Sequence, residues 1–278
     1  MTRAILKYGA AAITLAALLP AAGLVWHHIQ RVRIDHAFQA DTGAGLIHWE
    51  STRRVSILPL INWHALPGLE AEMGVSYLVR TDRNTILFDL GQNVWGESPS
   101  PLQRNMQALG VRLEDIDAIF LSHLHFDHVG GRRWATRATF SLDGKSQPDL
   151  GELHVENHGV VLIVGCGHQT LEKILARFDA HFREPLYGII GDLHYPVPKG
   201  RLEILGFDGQ RRFASGAGPF TPITREMVET DIQRLRARRP GIVAIGGHDT
   251  SDEAIGWFAA EFPESYKYVK VGEWIHLP

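Results

Sequence analysis

The sequence predicts an α/β layer fold built on mixed sheets. Short apolar runs alternate with stretches whose apolar residues recur at helical spacing. The first runs are joined by the tight turn Thr81-Asp82-Arg83-Asn84, which fits antiparallel pairing, whereas later runs are separated by helices, which fits parallel pairing. Glycine-flanked polar residues stand where several apolar runs stop.

Val55–Ile61, Gly74–Val79 and Thr85–Asp89 read as strands. Pro101–Leu109 reads as a helix, with Ser100 as its cap, Pro101 in the first turn, and Leu102, Met106 and Leu109 on one face. Ala118–Leu121 reads as a short buried strand, and Val160–Val164 as another. Thr170–Phe178 follows as a helix with Leu171, Ile174 and Leu175 inward. Leu186–Ile190 is a strand, and Ile223–Arg238 a longer helix stopped by Pro240-Gly241. Ile242–Ile245, Asp252–Phe262 and Tyr268–Val271 complete the series as strand, helix and strand. Arg132–Glu156 and Tyr195–Pro222 fit no regular element and read as binding loops.

The chain has 278 residues, 45% hydrophobic and 21% charged, enough for a large core without staples. Lys and Arg number 28 against 31 Asp and Glu, a net charge of −3, so nothing draws the chain to nucleic acid. One cysteine, Cys166, rules out an internal disulfide and a cysteine-rich zinc ribbon.

Arg3 and Lys7 precede an apolar run from Tyr8 to Trp26, about as long as a bilayer-spanning helix. A cleaved signal peptide would place its apolar region at Ala10–Leu19 and its cut near Ala21-Ala22. An uncleaved anchor fits better, because Val25-Trp26 continue the run and no small-x-small pair follows. Residues 1–34 are therefore read as an N-terminal hydrophobic helix, a membrane anchor or signal segment, and 35–278 as one domain. That domain is expected outside the cytoplasm.

The chemistry is concentrated in Leu121-Ser122-His123-Leu124-His125-Phe126-Asp127-His128-Val129-Gly130-Gly131. Three imidazoles and a carboxylate within six residues, after an apolar run and before a Gly pair, read as a metal site, most simply for two ions. Neutral imidazole and carboxylate suit zinc, and also manganese or iron. Four more strand ends carry such groups: Asp89 after Phe88, His168 after Gly165-Cys166-Gly167, Asp192 and His194 after Gly191, and His248-Asp249 after Gly246-Gly247. Ligands in sheet-based folds gather at one sheet edge in this way.

These residues resemble the metallo-β-lactamase-fold metallohydrolases, whose His-x-His-x-Asp-His signature stands at 123–128. The match runs from about Val55 to Glu273. Within the superfamily the chain is most similar to the branch called dihydropterin-related synthase-like, through Met73-Gly74-Val75-Ser76-Tyr77-Leu78-Val79, Ile86-Leu87-Phe88-Asp89-Leu90-Gly91-Gln92, Asn105, Leu109-Gly110 and Val164-Gly165-Cys166-Gly167-His168. The resemblance implies an αββα sandwich, two mixed sheets flanked by helices, forming a catalytic domain over 35–278. It implies His123, His125 and His168 as ligands of a first metal, and Asp127, His128 and His248 of a second. Asp89 would orient the histidine cluster through hydrogen bonds. The bridging carboxylate is expected at Asp192, with His194 as the competing position, either a ligand or a substrate contact. Cys166 reads as a small buried residue and Ser122 as structural.

The implied activity is a metal-dependent hydrolase, with two zinc ions per chain (manganese or iron as alternatives). A metal-bound hydroxide would attack an ester, lactone or phosphoester of a small molecule, and Asp127 would shuttle a proton. Arg132-Arg133-Trp134 and Arg211-Arg212-Phe213 are either solvated loop residues or contacts to an anionic substrate. An iron-dependent oxidoreductase of the same fold is the main alternative, though such enzymes usually carry Glu where His125 stands. A non-catalytic metal-binding sensor is the other, though no ligand is clearly lost.

Overall fold

The computed structural model describes residues 51–131, 150–204, 206–213 and 221–278, with scattered residues between 18 and 36. The chain divides into two units, Met1–Thr42 with Leu142–Lys145 and Gly43–Ser141 with Ser146–Pro278; the architecture below is that of the second.

Its elements are β1 (Val55–Ile61), β2 (Ser76–Arg80), β3 (Thr85–Phe88), α1 (Pro101–Ala108), a 3-10 turn (Leu113–Asp115), β4 (Ala118–Phe120), β5 (Leu150–Val155), β6 (Gly159–Val164), α2 (Leu171–His181), β7 (Leu186–Gly191), β8 (Glu203–Ile204), β9 (Phe207–Asp208), α3 (Gly209–Phe213), α4 (Arg225–Arg236), β10 (Ile242–Ile245), α5 (Asp252–Glu261) and β11 (Ile275–Leu277). One sheet has the order β11-β1-β2-β3-β4 and another the order β10-β7-β6-β5, with β8-β9 as a small ribbon. Both main sheets are mixed: β3 and β4 run parallel in an otherwise antiparallel sheet, and β5 is antiparallel to a parallel β6, β7 and β10.

The two-residue period of strands sorts the apolar side chains into layers. Val55, Ile57, Tyr77, Val79 and Phe88 of the first sheet pack with Val161, Ile163, Ile190, Ile242 and Ala244 of the second. Their neighbours face outward. Leu58, Leu60, Leu78 and Leu87 meet Leu102 and Met106 of α1. Leu162, Val164, Ile189, Val243 and Ile245 meet α2, α4 and α5 through Leu171, Ile174, Phe178, Val228, Ile232 and Phe258. Helix, sheet, sheet and helix thus stack in that order, an α/β sandwich with mixed sheets. Each buried Leu, Ile or Phe stabilises it by about 1.5–3 kcal/mol.

The helices start where their caps stand. Ser100 Oγ accepts from Gln103 N at 3.2 Å, and Gln103 Oε1 accepts from Ser100 N at 2.9 Å, a reciprocal capping box. Asn105, buried on α1, donates to the carbonyls of Leu60 and Glu70 at 2.8 Å each and pins the helix to the first sheet.

Several boundaries depart from the sequence expectation. Tyr268–Val271 is not a strand: Val271 makes a single bridge to Ala65, and the chain turns at Gly272 with φ +90 before Ile275–Leu277 pairs antiparallel with β1. β4 is not buried. It closes the edge of its sheet, with Ile119 and Phe120 exposed, because its apolar composition reflects one covered neighbour, β3, rather than two. The stretches left unassigned contain β5, β8, β9 and α3. The apolar run Tyr8–Trp26 lies largely outside the described residues; Leu18, Val25 and Trp26 are helical and exposed. No helix among the described residues is long and apolar enough to cross a membrane. Arg132-Arg133-Trp134 also lies outside the described residues.

Candidate metal centre

Parallel strands end on the same side, and this is what assembles the site. β6, β7 and β10 run parallel, so Gly165–His168, Asp192–His194 and Gly246–Asp249 emerge at one edge of the second sheet. β3 and β4 run parallel in the facing sheet and deliver Asp89 and the Ser122–His128 segment.

Asp89 sits under the histidine cluster with no solvent exposure. Its Oδ1 accepts from Ser122 N at 2.7 Å. Its Oδ2 accepts from Ser122 Oγ at 2.7 Å and faces His128 Nδ1, also at 2.7 Å. A carboxylate there fixes the proton on His128 Nδ1 and leaves Nε2 as the ligating nitrogen. Ser122 Oγ in turn lies 2.9 Å from His123 Nδ1, so one carboxylate orients two imidazoles. Asp89 holds φ +57 to reach this position, a left-handed turn that Asp tolerates better than most residues.

His123, His125 and His168 converge. His125 Nδ1 lies 2.9 Å from His123 Nε2 and 3.1 Å from His168 Nε2. Asp127, His128 and His248 form a second group, with His248 Nε2 3.6 Å from Asp127 Oδ2. The structure therefore brings together the two trios that the resemblance implied. Burial, followed by the neighbouring histidines, holds the His123 ring far below its ordinary pKa. Burial likewise lowers that of His248 against the pull of Asp249 and Asp127. Neutral rings are the form that binds a metal.

Asp192 does not join either trio. It is fully buried, and its carboxylate accepts from Tyr77 Oη at 2.7 Å, Asn62 Nδ2 at 3.1 Å and His248 N at 3.0 Å. Gly246 leaves the space it fills, since a Cβ there would overlap the carboxylate. Burial, with the charge of Asp249, pushes its pKa up to about 7. This carboxylate, expected to bridge two metals, ties β1, β2 and the His248 turn together. His194 is the residue of that pair that lies within ligand reach of His168. It adopts φ +59, and Asp249 holds it twice, with Oδ2 2.7 Å from Nδ1 and Oδ1 accepting from its backbone N at 3.1 Å. Burial disfavours its charged form, but the Asp249 carboxylate outweighs that and raises its pKa.

Cys166 is buried, as expected, but among polar groups: Asp249 Oδ2 at 2.9 Å, His248 Nε2 at 3.6 Å and His194 Nδ1 at 3.7 Å. Arg211 bonds to backbone carbonyls nearby. Its guanidinium donates to the Pro198 carbonyl at 3.1 Å and the Ile223 carbonyl at 3.4 Å, fastening its own loop.

Three contributors had no sequence signal strong enough to single them out. Tyr77 and Asn62 read as ordinary residues of a strand and a strand end. Arg201, in an unassigned stretch, donates to the carbonyls of Gly247 at 3.0 Å and Thr250 at 2.7 Å and packs 4.8 Å over the Trp63 ring, clamping the His248 turn. Asp249 had a signal, its place directly after His248, but no partner was evident until β7 and β10 came together.

The residues present fit a pair of metal ions. The three imidazole nitrogens of the first trio crowd together, and in the second trio the buried Asp127 Oδ1 and His248 Nδ1 have no hydrogen-bond partner. Clustered neutral nitrogens and unmatched buried polar atoms are costly unless a cation joins them.

The family model described as metallo-beta-lactamase superfamily matches residues 69–252. Tm1679, a metal-dependent hydrolase of the beta-lactamase superfamily, aligns at TM-score 0.56 and 16% identity over 80% of this chain and 99% of its own, a likeness of fold. The metallo-beta-lactamase fold protein YhfI from Bacillus subtilis aligns at TM-score 0.48 and 12% identity, over 81% of this chain and 100% of its own. A quorum-quenching N-acyl homoserine lactone lactonase aligns at TM-score 0.29 and 16% identity, over 71% and 92%. No curated protein matches the sequence. With the signature at 123–128 inside the matched span and its ligand groups gathered at one edge, the chain belongs to the metallo-beta-lactamase superfamily and is a metallohydrolase of that superfamily.

Proposed function

We propose that this metallohydrolase uses two divalent ions, zinc by preference, to hydrolyse an ester, lactone or phosphoester of a small molecule. The observation that carries this reading is the pair of trios, His123 with His125 and His168, and Asp127 with His128 and His248, side by side at the sheet edges. The first trio would hold one ion and the second the other. Two such ions lower the pKa of water toward neutrality and polarise the scissile oxygen.

The chain's own residues do the rest. Asp89 and Ser122 keep His128 and His123 in fixed orientations, so the ligand geometry is set before substrate arrives. Asp127, between His125 and His128 in the chain and with Oδ1 unengaged, would accept a proton from the attacking water and return it to the leaving group. Asp249 holds His194 at the edge of the first trio, where it can bind a metal or a substrate oxygen.

Elemental analysis of full-length protein purified without added metal tests the reading. About two zinc or manganese per chain are expected. Hydrolysis in a panel of esters, lactones and phosphoesters should be lost on chelation and regained with the metal. Tightly bound iron with oxygen uptake and no hydrolysis would overturn it in favour of an oxidoreductase.

We also propose that the apolar run Tyr8–Trp26 carries the enzyme to a membrane with its catalytic domain outside the cytoplasm. Membrane fractionation with protease accessibility should find the chain membrane-bound and cleaved from outside; a chain recovered in the cytosol would sink this placement.

A further inference from the structure

We infer that Glu72 is a positioning residue for the second ion: its carboxylate, cradled by the turn after β3, holds the backbone of Asp127 and His128 where their side chains meet that ion. The inference rests on the metallohydrolase reading above and deepens it.

Glu72 lies between β1 and β2, and its carboxylate reaches the turn that follows β3. Its Oε1 accepts from Gln92 N at 2.7 Å, and its Oε2 accepts from Asn93 N at 3.1 Å. Two successive backbone N–H groups aimed at one carboxylate form an anion cradle. Gly91 leaves room for it, since a Cβ there would stand 2.6 Å from Oε1. Among the described residues no lysine or arginine pairs with Glu72. Burial raises its pKa, and the N–H groups of Gln92 and Asn93 favour the charged form against that. A buried carboxylate costs free energy unless it is bonded. Here the compensation comes from that one turn.

The same turn carries the metal-ligand loop. Leu90 N donates to His128 O at 2.8 Å, and Gly130 N donates to Gly91 O at 2.9 Å. Val75 N donates to Asp127 O at 3.2 Å, and Gly91 N donates to Val75 O at 2.8 Å. A Cβ at Gly74 would stand 2.6 Å from Gln92 N and 2.9 Å from Asp127 O, so the turn, the loop and the entry to β2 meet with no side chain between them. Glu72 therefore acts from two sides. Its carboxylate fixes the turn, and its own carbonyl, accepting from Gly74 N at 3.0 Å, leads into the residues that fix Asp127. The turn needs such a hold, because Asp89 and Asn93 adopt left-handed backbone at φ +57 and +45, which persists only where the surroundings impose it. The stretch bearing Glu72 is anchored away from the metals. Glu70 N donates to Asn105 Oδ1 at 2.8 Å, and Glu70 Oε2 accepts from Arg104 at 2.6 Å, both partners on α1. Asp89 thus fixes the ring of His128, and Glu72 fixes the backbone that carries it. These bonds end on Asp127, His128 and Gly130, so their loss falls on the second ion.

Zinc titration of the metal-free full-length protein, read as bound metal in competition with a chromogenic chelator, tests this. Two backgrounds separate the ions. His123→Ala with His125→Ala leaves the second, and Asp127→Ala with His248→Ala leaves the first. Glu72→Gln keeps the size of the side chain and removes its charge. It should weaken the second ion about tenfold or more and change the affinity for the first by less than about twofold. A role in the fold alone would lower the thermal midpoint and leave both affinities as they were. That result, or equal weakening of both ions, overturns the inference and leaves the metallohydrolase reading intact. If Glu72→Gln does not fold, amide hydrogen exchange in the wild type gives the answer. Coupling is reciprocal, so binding of the second ion should slow exchange at Gln92 and Asn93 about tenfold or more. Exchange there that is indifferent to metal overturns the inference. Wild-type protein that binds no zinc overturns both readings.

Discussion

Replacing His123 and His125 together by alanine is expected to abolish hydrolysis and to reduce the metal content from about two ions per chain to about one. The two rings supply two of the three nitrogens that converge within 2.9 and 3.1 Å in the first trio, leaving His168 as its one remaining imidazole. A divalent ion does not stay on one imidazole at ordinary concentrations. The polarising and nucleophile-generating contribution of that ion is several kcal/mol, and each 1.4 kcal/mol is tenfold, so the rate should fall by about three orders of magnitude or more. His125 is exposed and His123 half-buried, so the substitution removes little packing, and the thermal midpoint of the metal-free protein should barely move. Retained activity at normal metal content would place the chemistry elsewhere in the molecule.

Asp89→Asn is expected to act through the same centre without touching a metal. Asn keeps the size of the side chain and tolerates the left-handed backbone at φ +57, so the change isolates hydrogen bonding. The carboxylate accepts from Ser122 N, Ser122 Oγ and His128 Nδ1, and it is wholly buried. An amide presents a donor on one side. At least one of those donors then faces another donor, at a cost of about 1–3 kcal/mol for an unsatisfied buried group. His128 loses its orientation or His123 loses that of Ser122. Metal affinity and turnover should each fall about 10–100-fold, which metal titration and steady-state rates would read. A variant that loses stability but keeps its metal affinity would show that Asp89 serves the fold alone.

Much of the fold could be read from the chain because its local and tertiary demands agree. In Val55–Ile61, Val55 and Ile57 face one buried layer and Leu58 and Leu60 the other, and the structure gives the strand those bounds. Ser100, Pro101 and Gln103 announce the start of their helix by capping chemistry that needs no distant partner. The reading failed where a partner decides. Leu150–Val155 becomes a strand by pairing with Gly159–Val164, and Ile275–Leu277 by reaching Val55–Ile57 across the whole chain. Neither segment carries a distinctive pattern of its own.

For the site, the sequence by itself carried the superfamily's signature, and that resemblance implied the two trios. A histidine cluster of fixed spacing and glycine-flanked polar residues at strand ends are local features, and parallel strands bring such ends to one edge. Only the tertiary structure decided what each end does there. Asp192 and His194 are two residues apart and equally plausible as text. The buried hydroxyl of Tyr77 and the amide of Asn62 hold the first, while Asp249, from a different strand end, holds the second within ligand reach of His168. Cys166 looks like a small core residue until that same carboxylate and His248 close around it. Hydrogen bonds and coordination act over about 3 Å between residues far apart in the chain, and no one-dimensional spacing encodes which of two neighbouring side chains will be within that reach.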